Sequence, residues 1–122
     1  MPAPVRSFLR IYSVGDLAVK IQDERIVLPS DYRLEQNYPN PFNGTTVIRF
    51  TLPLDKRVSV KVYDMTGRLV KTIVNDQLLP KGAHEVNWDG TSDTGIPVAS
   101  GSYLYTLEYG NFRQSKTMVL LK

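Results

Sequence analysis

Cysteine is missing from all 122 residues. Its absence excludes thiol catalysis, disulfide staples and cysteine-ligated metal. It leaves the compartment open, because a domain with a large enough core needs no staple. Histidine and tryptophan occur once each, at His84 and Trp88. No apolar run approaches the ~20 residues that a membrane-spanning helix requires, so no transmembrane segment is expected. The opening MPAPVRSFLR lacks the apolar core of a secretory leader, and the chain is therefore expected to be a piece of a longer protein. A basic run is missing too. The net charge of +3 comes from 15 Lys and Arg scattered among 12 Asp and Glu, and no nucleic-acid partner is expected.

What is present suits one folded domain: 42% apolar and 22% charged residues, in a length that supports one core. Strand signals dominate. Residues 47–52 alternate Ile48, Phe50 and Leu52 with Arg49 and Thr51, and residues 58–63 place Val58, Val60 and Val62 on one face. The turn residues Asp64, Met65, Thr66, Gly67 and Arg68 lead into 69–74, so 58–74 reads as a hairpin. After Pro80, Lys81 and Gly82, residues 84–88 put His84, Val86 and Trp88 on one face. Residues 103–109 and 112–121 form a last pair around Gly110-Asn111, a favoured two-residue hairpin turn. No window gives an amphipathic helix of three turns. The expected fold is all-β, an immunoglobulin-like antiparallel β-sandwich of about seven strands. Residues 31–122 form that domain. Residues 1–30, with strand-like runs at 8–14 and 17–21, read as a linker, a remnant of a preceding domain or an extra hairpin.

Catalytic chemistry finds no set of residues. His84 lies on an apolar strand face without a nucleophile or carboxylate partner suggested nearby, so it reads as a core histidine. There is no G-x-S-x-G, no phosphate-cradling glycine loop and no paired zinc ligands. The chain is expected not to be an enzyme and to carry no cofactor. The loop DGTSDTG offers Asp89 and Asp93 to a hard cation such as calcium, but it lacks the closing glutamate of an EF-hand. A solvated turn has the same composition and is the preferred reading. Tyr103, Tyr105 and Tyr109 share one strand face, with Trp88 available beside them. Exposed, such a row would stack on sugar rings; buried, it is sandwich core, which Leu107 on the same face favours.

Residues 36–46 read QNYPNPFNGTT, a stiff gateway into the first long strand. Pro39 and Pro41 fix their own φ and bias Tyr38 and Asn40 towards extended conformations. Tyr38 and Phe42 are expected to anchor this structural corner on the end of the sandwich, with Asn43 capping its turn. It is not expected to be a catalytic loop.

Together, LEQNYPNPFNGTTVIRFTLP, VSVKVYDMTGRLVKTIV, GAHEVNWDG and ASGSYLYTLEYGNFRQSKTMVLLK resemble the type A C-terminal sorting domains of the type IX secretion system, over residues 34–122. The middle, NWDGTSDTGIPVASGSY, is also similar to the immunoglobulin-like domain of flagellar hook-capping proteins. The first resemblance implies a secretion signal that follows an N-terminal cargo domain through the periplasm in bacteria of the Bacteroidetes kind. An outer-membrane translocon would deliver that cargo outside or to the cell surface, and for some cargo a sortase removes the domain. It implies signal residues at Gly101, Tyr103, Gly110, Lys116, Val119, Leu120 and Lys122. Gly44 stands where a proline often follows PFN, which alters only local stiffness. The competing readings are a carbohydrate-binding accessory module of an extracellular enzyme and a purely structural immunoglobulin-like spacer.

Overall fold

The computed structural model describes residues 26–122. The strands expected at 8–14 and 17–21 lie outside the described residues. A 3-10 turn, Pro29–Asp31, precedes seven strands. These are β1 (Arg33–Leu34), β2 (Thr46–Leu52), β3 (Lys56–Asp64), β4 (Leu69–Leu79), β5 (Gly82–Trp88), β6 (Gly101–Tyr109) and β7 (Phe112–Leu120). They form two antiparallel sheets, ordered β1-β2-β5 and β4-β3-β6-β7. The chain builds the expected all-β sandwich.

Period-two alternation decides which side chains meet between the sheets. Ile48, Phe50 and Leu52 of β2 face Val58, Val60 and Val62 of β3, Leu107 of β6, and Met118 and Leu120 of β7, all buried. The intervening residues point out. Arg49 sits opposite Glu85 in the β2–β5 register and bonds its carboxylate at 2.7 Å. The tyrosine row is interior: Tyr103, Tyr105 and Tyr109 are buried, as is Trp88, whose ring meets Tyr103 edge-on at 5.3 Å. No ring of that row is available for stacking on a sugar.

Both expected hairpins form. Gly110 and Asn111 join β6 to β7 in the tight pairing Tyr109↔Phe112. Three details depart from the sequence reading. β4 runs to Leu79, longer than its alternation suggests, because bulges interrupt its register with β3 at three places. His84 is half-buried at the sheet rim and not enclosed in the core. Its ring stacks on Phe50 at 5.4 Å and Nε2 lies 2.7 Å from the Pro80 carbonyl. Packing also begins upstream of residue 31: Val27 lies against the core, and the Tyr109 hydroxyl donates to the Pro29 carbonyl at 3.1 Å.

The edges differ in how they are protected. Bulges distort β4, and the main chain and carboxylate of Asp93 bond Val70 and Thr72 along it. Such features discourage strand addition. β5 and β7 are regular, without register shifts. Ile48 and Arg49 are neighbours with opposite fates, which gives a direct test of the two-faced strand. Ile48→Ala is expected to cost about 2–5 kcal/mol, and Arg49→Ala less than about 1 kcal/mol, as read by urea unfolding.

Candidate functional site

The gateway joins β1 to β2 of one sheet and on its way touches the edge strand β7 of the other. At its start, the Tyr105 hydroxyl donates to the Glu35 carbonyl at 2.6 Å and accepts the Asn37 N–H at 2.7 Å. Burial pushes the Tyr105 phenol up to about 12, so it stays a neutral donor. Asn37 is itself buried; its amide nitrogen donates to the Pro39 carbonyl at 3.1 Å and to Thr46 Oγ1 at 2.9 Å. Thr46 returns its hydroxyl to the same Pro39 carbonyl at 2.9 Å. The loop thereby closes on its own base. Both Tyr38-Pro39 and Asn40-Pro41 peptide bonds are cis.

Phe42 is the side chain that the corner buries, against Trp88 at 5.8 Å. Tyr38 is not an anchor: the residue is 72% exposed, and its contribution is a pair of main-chain bonds with Val47. Asn43 is exposed, and the sharp turn falls on Gly44 at φ +96. Asn37 is the buried residue that the pattern of large rings does not reveal; its signal is a polar side chain between two strand-like runs.

The corner also reaches the last strand. Phe42 N–H donates to the Val119 carbonyl and the Leu121 N–H donates to the Phe42 carbonyl, both at 2.9 Å, in a parallel bridge. Asn40 Oδ1 accepts the Val119 N–H at 2.9 Å, and Gln36 Nε2 donates to the Thr117 carbonyl at 2.8 Å. Val119 therefore bonds outward on both sides. By alternation the main-chain groups of Thr117, Ser115 and Arg113 also face away from β6. The gateway covers β7 from Thr117 onward, while the outward groups of Arg113 and Ser115 and the Thr117 N–H have no partner among the described residues.

The remaining signal residues divide between core and surface. Tyr103 and Leu120 are buried, Val119 and Lys116 half-buried, and Gly101, Gly110 and Lys122 exposed. Gly101 has φ +153, a value that side chains rarely adopt, at the start of β6. Leu120 pairs with Gly101, and the Lys122 N–H reaches Ser100 Oγ at 3.0 Å. Lys116 stands opposite Tyr105 and forms no ion pair among the described residues. Gly110 lies away from this group, in the turn at the other end of β7.

The loop after β5 uses its carboxylates internally. Asp89 Oδ1 accepts Thr91 Oγ1 at 2.6 Å and the Thr91 N–H at 3.2 Å, and the Thr91 hydroxyl chiefly holds its carboxyl below the usual range. Asp93 Oδ1 accepts the Thr72 N–H at 3.0 Å. Among the described residues no three His, Asp or Glu side chains gather where they could hold a metal ion.

Residues 37–111 match the FlgD Ig-like domain family. The chain belongs to that family. The match begins at Asn37, the buried base of the gateway, and stops before β7. Two solved structures extend the comparison. This FlgD Ig-like chain is similar to dimeric latent PorU from Porphyromonas gingivalis, at 26% identity and TM-score 0.55, covering 74% of this chain and 9% of PorU. It is also similar to PorZ of the same organism, an essential surface component of the type-IX secretion system. There the identity is 25% and the TM-score 0.50, covering 71% of this chain and 11% of PorZ. The chain thus spans about a tenth of the length of these proteins. No curated protein matches it. The comparisons support an immunoglobulin-like module of the kind found in secretion-related proteins.

Tyr105→Phe would leave the Glu35 carbonyl and Asn37 N–H without their partner. It is expected to cost about 1–3 kcal/mol with the urea m-value unchanged. The acid limb supplies a second test. The Thr66 hydroxyl, with the Arg68 and Thr66 main chain, holds Asp64 down to about 2, and Asp89 is lowered as well. With folded values below the unfolded ~3.9, the unfolded chain binds more protons as pH falls. Their stabilisation is complete above roughly pH 5 and declines as pH falls towards 2. Urea midpoints measured across that window are expected to fall less steeply for Asp64→Asn than for the parent chain.

Proposed function

We propose that this chain is a non-catalytic C-terminal sorting domain that addresses an attached cargo for type IX export across the outer membrane. The observation that carries the reading is the junction between gateway and closing strand. Two of the segments through which the sequence resembles type A sorting domains are hydrogen-bonded to each other, through Phe42, Asn40, Val119 and Leu121. Such a label exists only in the folded chain, because unfolding separates its halves by nearly 80 residues of sequence. The similarity to PorU and PorZ supports the same reading.

A folded signal needs a surface for its receptor. The open part of β7, from Arg113 to Thr117, offers main-chain donors and acceptors for strand addition. Beside it, half-buried Lys116 supplies a cation that has no carboxylate partner among the described residues. The gateway limits how far an added strand can run, since Val119 and Leu121 are already bonded. The translocon is the partner in this reading, a sortase is the enzyme that removes the domain where it is removed, and the cargo lies N-terminal. The mature product is secreted or held at the cell surface.

The test is a fusion of the 122-residue chain behind a signal peptide and a fluorescent reporter in a type IX-competent host. Reporter is expected in the medium or on the surface. Reporter retained in the periplasm would overturn the sorting reading and leave a structural spacer. Lys116→Ala is expected to reduce export several-fold while stability stays within about 0.5 kcal/mol of the parent, as for other surface changes. Unchanged export would remove Lys116 from the recognition surface.

A further inference from the structure

An open cleft of about 380 Å³ lies where the β3–β4 turn meets the loop before β6. Its lining includes Leu69, Val70, Val98 and Ala99, with Asp64 and Tyr103 adjoining and Arg68 and Ser92 completing it. Asp64 is the one carboxylate among these residues. Its side chain is 23% exposed, and Oδ1 is filled by its own turn, accepting the Thr66 N–H, the Thr66 hydroxyl and the Arg68 N–H. Among the described residues Oδ2 accepts only from Arg68 Nε, at 3.3 Å, from a side chain that is 83% exposed. An ion pair so open to solvent contributes little and exchanges readily.

We propose that this cleft is a binding site for a lysine or arginine side chain of a partner polypeptide. The aliphatic stem lies along Leu69, Val70, Val98 and Ala99, and the cationic head replaces Arg68 on Asp64 Oδ2. Long cationic side chains suit such a site, because their methylenes cover apolar surface while the charge stays at a polar end. An anionic ligand would stand against Asp64, which its turn keeps ionised. The second nearby cation, Lys71, has its Nζ 3.5 Å from the Ser92 carbonyl, and its charge acts on Asp89. The exposed apolar side chains of Met65 and Ile96 lie on the turn and the loop that frame the cleft, so the partner's flanking residues find apolar contacts there.

The test is a titration of the isotope-labelled 122-residue chain, followed by amide shifts, with N-acetyl-arginine amide and N-acetyl-lysine amide. N-acetyl-norleucine amide and N-acetyl-glutamate amide serve as the uncharged and anionic comparisons. Saturable shifts confined to residues 64–70, 92 and 98–103 are expected with the cationic amides and not with the other two. Arg68→Ala should tighten binding several-fold by removing the internal competitor, a result that a merely structural Asp64–Arg68 pair would not give. Asp64→Asn should abolish it. Should that variant disturb the turn, Ala99→Leu narrows the cleft while leaving Asp64 and its bonds in place, and it too should abolish binding. Equal response to norleucine, stronger response to glutamate, weaker binding by Arg68→Ala or no saturable shift would each overturn the proposal. Measuring cargo export for Ala99→Leu separates the two readings, because lost binding with intact export leaves the sorting function standing.

Discussion

The structure depends on the main-chain bridge between Phe42 and the end of β7. A sandwich is two sheets held by apolar contact, and apolar contact is not directional. The bridge supplies direction: Phe42 exchanges hydrogen bonds with Val119 and Leu121 while its ring enters the core beside Trp88. One residue therefore fixes the gateway, the last strand and the inter-sheet packing together. Tyr105 provides the complementary hold at the gateway's other end, from a strand in the opposite sheet to β2. With Asn37 and Thr46 closing the base, few main-chain groups of this loop are left to water at the places where it turns inward.

This arrangement explains why residues linked to signalling by resemblance are so often structural. Tyr103 and Leu120 are core side chains, and Gly101 satisfies a backbone angle. Of that set Gly101, Gly110 and Lys122 are exposed, and Lys116 and Val119 are half-buried. A surface made of packed residues with a small exposed margin has its geometry only when the core has formed. The regular, partly covered edge of β7 contrasts with the bulged and tethered edge of β4. Among the described residues, outward main-chain groups between Arg113 and Thr117 of β7 stay without a partner, whereas Asp93 bonds β4 at Val70 and Thr72.

Much of the fold was legible in the sequence because period-two alternation is a local property. Val58, Val60 and Val62 announced an inward face wherever their strand was placed, and Gly110-Asn111 announced a tight hairpin without knowledge of its neighbours. Tyr103, Tyr105 and Tyr109 were readable as core from Leu107 between them. Legibility failed where long-range geometry intervened. The bulges lengthening β4 depend on its pairing with β3, and the half-burial of His84 depends on its place at the rim of a sheet. Tyr38 reads as an anchor because large rings are usually buried, yet in the fold it is exposed and the interior place goes to Asn37, held by Tyr105, Pro39 and Thr46.

The sequence by itself determined the all-β class, the strand faces, both hairpins and the absence of thiol chemistry, because each follows from neighbouring residues or from composition. Only the tertiary structure decided that the gateway pairs with the closing strand, which part of β7 it covers, and that Asp64 adjoins an apolar cleft. Those facts join residues far apart in the chain. Their hydrogen bonds and contacts are set by how two sheets stack, a geometry that no local pattern encodes.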